Sequence, residues 1–555
     1  MVKRPAGSRQ PPEGRPFRSN LNHGEIMPSD TPRVLISDKM SPRAAEIFRQ
    51  HGVDADVRPG MTPDELKGVI GDYDGLAVRS ATRVTSEILD AAVRLKAIGR
   101  AGIGVDNIDV NAATSKGVLV MNTPFGNSIT TAEHAIALMF ALARQIPAAD
   151  MSTQAGKWEK SRFMGVELTG KVLGVVGCGN IGSNVAERAR GLKMQVIASD
   201  PFLSPQRARE MGVEKLEVDE LMQRADFITL HTPLTDGTRH MIDAAAIGRM
   251  KPGVRIINCA RGGLIDEDAL KAALDDGHVA GAALDVFEIE PARDSPLFGS
   301  EKVIATPHLG ASTEEAQENV AVQVAEQIAD YLLNGTVTNP INMPAVSAEE
   351  AFRLRPYVEL TRQLGSFAGQ ITESPLVDVK IRYEGQAASL NIRPLTASLL
   401  TGLLAPLYGR INPVNAPHLA REQNIVVAEE TDERVTDYQT RIHLAITTEQ
   451  RRRSIAGTVV HGDQPRIVEI EGIQMEATLS KVVLFVRNRD KPGMIGSLGK
   501  ALADAGVNIA TFHLGRSEPG GDAMALVSAD SDITEPILMQ LCTLPHVKQA
   551  KVLRF

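Results

Sequence analysis

From Thr31 onward, short apolar runs alternate with amphipathic stretches along the chain. "RVLISD" reads as a strand and "SPRAAEIFRQHG" as a helix opened by Ser41 and closed by Gly52. "GLAVRS", "LKAIGRAG" and "GVLVMNTP" follow as short apolar runs that end in turn residues. Strands alternating with helices imply a parallel, doubly wound sheet. "TAEHAIALMFALARQI" then predicts one long, strongly apolar helix buried between units.

A second α/β unit begins at Gly170. "GKVLGVVGCGNIGSNVAERARGLKMQVIASD" reads strand, Gly-rich turn, helix, strand, and "DFITLHTP", "VRIINCA", "VAGAALDVF" and "KVIATPH" supply further strands. After Gly310 an amphipathic helix, "STEEAQENVAVQVAEQIADYLLNG", is expected to be capped by Ser312 and stopped by Gly335. The pattern predicts a discontinuous first domain, residues 31–131 with 310–340, into which a Rossmann-type domain, 132–309, is inserted. "TVTNPINMP" is a Pro-bearing linker. Residues 341–478 mix helices and strands without a catalytic constellation. Residues 479–555 read as a small βαββαβ sandwich. The expected fold class is thus α/β, with two doubly wound parallel-sheet domains followed by an α+β intervening domain and a ferredoxin-like domain.

The first 30 residues break this pattern, being rich in Pro, Gly and Arg without an apolar period. They are expected to form a disordered tail, with Met27 as an alternative start. A net charge of −8 argues against nucleic acid as the main partner. Three widely spaced cysteines, Cys178, Cys259 and Cys542, fit a reducing cytoplasm and offer neither a disulfide framework nor a zinc site. No apolar run approaches the roughly 20 residues that span a bilayer, so no membrane segment is expected.

Two signals carry chemistry. "GCGNIG" follows a predicted strand, opens a predicted helix, and is trailed by a second strand ending in Asp200. In such a unit Gly177 makes the tight turn and Gly179 lets the backbone approach a pyrophosphate resting on the helix N-terminus. Gly182 lets helix and strand pack. Asp200 accepts hydrogen bonds from ribose hydroxyls and repels a 2′-phosphate, which favours NAD over NADP. The second signal is Arg261, Glu290 and His308, each just past a predicted strand's carboxyl end, the edge where open parallel sheets bind ligands. Oxidation of a 2-hydroxy acid needs hydride transfer to a nicotinamide and removal of the hydroxyl proton. A histidine takes that proton, a carboxylate on its other ring nitrogen fixes the tautomer, and an arginine grips the substrate carboxylate through two parallel hydrogen bonds.

"GCGNIG…SDP", "NCARGGLIDEDAL", "GAALDVFEIEP" and "TPHLGAST" together resemble the D-specific 2-hydroxyacid dehydrogenase family. "VRSATRVT", "GRAGIGVDNID", "MNTPFGNS", "AEHAIALMFALARQIP" and "GKWEKSRFMGVEL" narrow the resemblance to its long-form branch acting on 3-phosphoglycerate, and it runs from about Arg33 to the C-terminus. The resemblance implies that Arg261 orients substrate, Glu290 is the acid partner and His308 the general base. It puts Asn180, Ile181, Asp200, Thr232, Cys259, Ala260, Arg261, Asp285, His308, Leu309, Gly310 and Ala311 at NAD-contacting positions. Arg79, Ser80, Gly102, Ile103 and Asn127 would form the first-domain side of the substrate site, and Lys160 and Arg162 the basic stretch a neighbouring subunit offers to the phosphate.

"RDKPGMIGSLGKALADAGVNI" resembles the ligand loop and helix of an ACT domain, which pairs between subunits and binds L-serine as a feedback inhibitor. Asp490 and Asn508 fall on effector-contacting positions. The alternative for this unit is a pairing module without a ligand. The resemblance implies a cytoplasmic homotetramer that oxidises 3-phosphoglycerate with NAD in serine biosynthesis, with 2-oxoglutarate reduction as a conceivable side activity. The alternatives are a hydroxypyruvate/glyoxylate reductase, which would end near residue 340, and a non-catalytic NAD-sensing scaffold.

Overall fold

Twelve parallel strands in two sheets form the first three-fifths of the molecule. The computed structural model describes residues 31–435 and 437–555, so the expected N-terminal tail lies outside the described residues. The first sheet contains β1 (Arg33–Ile36), β2 (Asp54–Val57), β3 (Gly75–Val78), β4 (Ala97–Arg100) and β5 (Leu119–Asn122) in the order β2-β1-β3-β4-β5. Every pair is parallel. The runs "GLAV" and "LVMN" of β3 and β5 are buried throughout, as strands covered on both faces require.

The helix Glu314–Asn334 lies on this sheet, although residues 172–305 of the second sheet precede it. Its Val320, Val324 and Ile328 join Val34, Ile36 and Phe48 in one core. A Cβ on Gly99 of β4 would come 2.7 Å from Ile328 Cδ1, so the glycine admits the helix. The helix is stopped by Gly335 as expected, but its cap is Thr313, not Ser312: Thr313 Oγ1 accepts from Ala316 N at 3.2 Å. Ser312 sits one residue too early, in a turn where its own N–H donates to Leu309 O.

The second sheet comprises β6 (Val172–Val176), β7 (Gln195–Ser199), β8 (Glu214–Lys215), β9 (Phe227–Leu230), β10 (Val254–Asn258), β11 (Val279–Leu284) and β12 (Val303–Ala305). The order β12-β11-β10-β9-β6-β7-β8 reverses between β6 and β9, which opens a crevice at the carboxyl ends of those strands. The apolar helix Ser128–Arg144 packs on this sheet and on the helix Asn180–Gly191. It stops earlier than its sequence suggests. Gln145 takes a left-handed φ of 53°, and a separate helix, Ile146–Gln154, starts around Pro147, which has no N–H to continue the ladder. The chain crosses between the two sheets twice, before Ser128 and after His308. The crossings are tied by Thr131 Oγ1 donating to Gly310 O at 2.8 Å and by the hydroxyls of Thr130 and Thr313 at 3.3 Å.

Two smaller sheets complete the molecule. β13 (Leu376–Gly385), β14 (Val426–Asp432), β15 (Thr440–Thr448), β16 (Arg452–Val460), β17 (Gln464–Ile470) and β18 (Ile473–Ala477) run in the order β14-β13-β15-β16-β17-β18. The helices Ala348–Gln370 and Ile392–Tyr408 supply the apolar side chains that share this sheet's core. β19 (Val482–Arg489), β20 (Ile509–Arg516), β21 (Asp522–Ala529) and β22 (Val547–Arg554) form an antiparallel sheet with helices Met494–Asp504 and Glu535–Cys542, the expected βαββαβ order. Among the described residues no helix is long and apolar enough to cross a membrane.

Candidate active site

His308 stands three residues past β12 with a left-handed φ of 57°. Such a backbone costs about 1–3 kcal/mol in a residue with a side chain and persists only where its surroundings enforce it. Asp285, just past β11, does so here. Its carboxylate is fully buried and accepts from Thr306 Oγ1 (2.6 Å), Leu309 N (2.7 Å) and Gly310 N (2.8 Å), while its carbonyl accepts from His308 N (2.9 Å). Burial would raise this carboxyl's pKa, but His134, 3.2 Å away, Thr306 and the Leu309 N–H outweigh it and hold the group below the usual carboxylate range. Asp285 and His134 therefore shape the turn that presents His308.

The imidazole faces Glu290, with Nδ1 2.7 Å from Oε2. A carboxylate only accepts, so Nδ1 carries the proton and Nε2 presents a lone pair. Glu290 Oε1 accepts from Phe287 N at 3.1 Å, which fixes its rotamer. Partial burial pushes the Glu290 carboxyl up, but the bond and charge of His308 and the Phe287 N–H hold it below its ordinary value.

Both residues line a cavity of about 610 Å³ between the two parallel sheets. Arg79, Ser80, Gly102, Asn127, Asp285 and Ala311 line it too. So does Arg100, which the sequence reading did not single out. It ends β4, its Nε is buried without a partner among the described residues, and Nη1 donates only a long 3.4 Å bond to Ala101 O. Burial and the nearby charge of Arg261 push its pKa down to about 10. A Cβ on Gly102, whose φ is 139°, would overlap Nη1. The signal was present in the sequence: "GRAG" repeats the pattern of "ARGG", an arginine at a strand's carboxyl end beside small residues.

Other expected residues fall elsewhere. Arg261 is not among the residues lining this cavity; its Nε donates to Asp106 Oδ2 at 2.9 Å. Ile103 also stays outside, its carbonyl accepting from Asn122 Nδ2 at 2.6 Å. Arg162 pairs with Glu159 (3.0 Å) and Glu301 (2.6 Å), and Lys160 is exposed, both away from this chain's own cavity. Asp490 accepts from Arg516 (2.9 Å) and Gly520 N (3.0 Å), and Asn508 Nδ2 donates to Asp530 (2.5 Å), so each has a partner within its own sheet unit.

The dinucleotide loop has the geometry its glycines imply. Gly177 has φ 88°, and a Cβ there would lie 2.5 Å from His231 O. Gly182 packs so closely that a Cβ would overlap Gly177 O, whereas Gly179, the cap of helix Asn180–Gly191, faces open space. Asp200 sits just past β7 and accepts from Cys178 N at 2.7 Å, which places its carboxylate beside the loop. Asn180 Nδ2 reaches Pro124 O at 3.3 Å, Ile181 is half-buried, Thr232 flanks Gly177, and Cys259 and Ala260 are buried behind Arg261. An open glycine edge at a helix N-terminus with a strand-end acid beside it fits a dinucleotide. Gly177→Ala should weaken NAD binding more than about 10-fold and lower stability by about 1–3 kcal/mol, read by fluorescence titration and urea denaturation.

His231 borders the same crevice. Its Nε2 lies 2.9 Å from Thr229 Oγ1, its Nδ1 is buried without a partner among the described residues, and burial of the ring pushes its pKa down to about 4. The unfolded chain takes up this proton near the usual value of about 6.5, so the ring costs stability as pH falls from about 6.5 to 4 and has no such effect above that window. His231→Gln should flatten the acid loss of melting temperature across those pH values, measured by scanning fluorimetry.

Comparison with known proteins agrees with this geometry. The NAD binding domain of D-isomer specific 2-hydroxyacid dehydrogenases matches residues 136–310, the D-3-phosphoglycerate dehydrogenase intervening domain matches 353–471, and the ACT domain matches 482–546. Among solved structures, a glyoxylate reductase from Paecilomyes thermophila superposes with a TM-score of 0.53 at 30% identity, covering 56% of this chain and 99% of its own. A D-lactate dehydrogenase from Aquifex aeolicus gives 0.51 at 27%, covering 56% and 100%. Relatives called D-3-phosphoglycerate dehydrogenase extend the likeness over almost the whole chain. One from Bacillus subtilis is 41% identical over 531 residues, 94% of this chain and 99% of its own. One from Methanocaldococcus jannaschii is 42% identical over 523 residues, again 94% and 99%. With an NAD-binding domain, an intervening domain and an ACT domain in that order, and a likeness running nearly from end to end, the chain belongs to the D-3-phosphoglycerate dehydrogenase family of D-isomer specific 2-hydroxyacid dehydrogenases.

Proposed function

We propose that the chain oxidises 3-phosphoglycerate to 3-phosphooxypyruvate with NAD+, the first step of L-serine biosynthesis by the phosphorylated route. The observation that carries this reading is one cavity holding both the His308–Glu290 pair and two arginines, Arg79 and Arg100. A 2-hydroxy acid needs the first; a phosphate at its far end suits the second. NAD+ supplies the hydride acceptor when bound. His308 Nε2 takes the substrate hydroxyl proton, and Glu290 holds the ring with its Nδ1–H and stabilises the imidazolium that forms. Arg261 receives the substrate carboxylate. Asn180, Asp200, Thr232 and the turn Leu309–Ala311 line the path of the cofactor.

This reading takes the domain limits as 31–131 with 310–340, 132–309, 341–478 and 479–555, and the presence of four separate sheets supports four units. Exposed Ile129, Met151, Trp158 and Met164 on and after the helix Ser128–Arg144 support a face for a second copy; the assembly we assign is a homotetramer in which Lys160 and Arg162 serve a neighbour's phosphate. L-serine is the effector we assign to the ACT unit, near Asp490 and Asn508, and the cytoplasm is the compartment.

The test is a steady-state assay of NADH formation with 3-phosphoglycerate, and of NADH consumption with hydroxypyruvate, glyoxylate and 2-oxoglutarate, with and without millimolar L-serine. The likeness to a glyoxylate reductase makes glyoxylate the informative competitor. Turnover of 3-phosphoglycerate is expected to lead. Its absence removes the assignment, and indifference to serine leaves the ACT unit as a pairing module.

A further inference from the structure

Arg261 is read above as the group that grips the substrate carboxylate, yet its guanidinium is engaged. Nε donates to Asp106 Oδ2 at 2.9 Å, and Nη1 donates to Ala260 O at 2.7 Å. A guanidinium offers a carboxylate two matching edges, Nε with Nη2 and Nη1 with Nη2. The Nε–Nη2 edge therefore has one donor committed to Asp106, and Nη1 spends one of its two hydrogens on Ala260 O. Ala260 O belongs to the preceding residue and moves with the backbone. Asp106 is a side chain from the loop after β4, so it is the partner that can let go.

The pairing is built into the loop. A Cβ on Gly104 would overlap Arg261 Nη2 and lie 2.7 Å from Asp106 Oδ2, so the absence of a side chain there makes room for the contact. The Asp106 side chain is 67% exposed against 27% for Arg261, so the carboxylate reaches the guanidinium from the solvent side and can return to water at little cost. Charge points the same way. Arg79 and Arg100 line the neighbouring cavity, whose carboxylates Asp285 and Glu290 are engaged with Thr306 and His308, while Asp38 is taken by the N–H groups of Arg79 and Thr82 and by the Thr82 hydroxyl. Asp106 is left to balance Arg261.

We propose that Asp106 is a positioning residue that competes, as an internal carboxylate, with the carboxylate of the substrate for Arg261. A 2-hydroxy acid can take the Nε–Nη2 edge of that arginine through two hydrogen bonds only by displacing Asp106. Asp106 therefore weakens carboxylate ligands selectively, and its release frees a contact that joins the β4 side of the cleft to the β10 side. The inference rests on the role given to Arg261 above.

The test compares wild type, Asp106→Asn and Asp106→Glu as full-length, NADH-loaded enzyme, on which 3-phosphoglycerate binds without turnover. Isothermal titration measures Kd for 3-phosphoglycerate and for glycerol 3-phosphate, which keeps the phosphate and lacks the carboxylate. Asp106→Asn should bind 3-phosphoglycerate about fivefold more tightly, the scale of one exposed ion pair, with the same fall in its KM under turnover. Its glycerol 3-phosphate Kd should not move, and Asp106→Glu should stay near wild type. Unchanged or weaker 3-phosphoglycerate binding by Asp106→Asn overturns the inference, as does an equal change with both ligands. Wild type that binds 3-phosphoglycerate without oxidising it in the NAD+ assay overturns the proposed function alone, because the selective tightening is still read. Wild type that binds neither ligand overturns both.

Discussion

His308→Ala should lower kcat for 3-phosphoglycerate oxidation by about 10²–10⁴ while leaving the Kd for NAD within a few-fold of wild type. The size follows from the role proposed for the ring, a base whose other nitrogen is fixed by a carboxylate at 2.7 Å. Glu290→Gln is expected to cost less, about 10–100-fold, because a glutamine still meets Nδ1 but no longer offsets the charge that the ring gains. The pair is checked by steady-state kinetics beside a dinucleotide titration. Activity within threefold of wild type for His308→Ala would place the base elsewhere. The Asp285 carboxylate makes the experiment clean, because it holds the turn through the backbone of residues 308–310 whatever side chain stands at 308.

Arg100→Met should act on two quantities in opposite senses. A buried guanidinium with an unpartnered Nε lowers stability, since charge taken from water is compensated only in part. Methionine keeps much of the volume without the charge, so the melting temperature should rise. The same substitution removes the partner proposed above for the substrate phosphate. A lost buried charge contact costs about 2–5 kcal/mol, so KM for 3-phosphoglycerate should increase about 30-fold or more while KM for D-glycerate changes little. Kinetics on both acids and scanning fluorimetry read the two effects. A KM that rises equally for both acids would move Arg100 from the phosphate to the reacting end, and a lowered melting temperature would make it a structural group.

The two parallel sheets were legible because their strands are continuous apolar runs closed by turn residues, and the dinucleotide loop because its glycines stand between a strand and a helix. His308 and Glu290 were legible as strand-end polar residues, and their chemistry requires that they meet. Arg100 was passed over although "GRAG" carries the pattern of "ARGG", because that pattern alone does not say which wall it joins until the fold brings it beside His308. The partner of Arg261 was equally hidden: 155 residues separate it from Asp106, and only the closing of one sheet on the other joins them. The six-stranded sheet of residues 376–477 escaped detail because its strands pair mostly with neighbours in sequence and carry no chemical motif to mark their order. The Ser312 cap missed by one residue because Ser and Thr stand side by side, and only the hydrogen bond to Ala316 distinguishes them.

The two stitched crossings between the parallel sheets have a mechanical meaning. A body joined to another by one strand can swivel and twist in any direction; a body joined by two at the same level has only a door's freedom. The bonds Thr131–Gly310 and Thr130–Thr313 set the pins of that door side by side. The pin next to His308 is the same turn that Asp285 locks, so His308 lies on the hinge line rather than on the swinging edge. A swing about that line would leave His308 nearly in place and carry Arg79 and Arg100, on the other leaf, toward it or away from it.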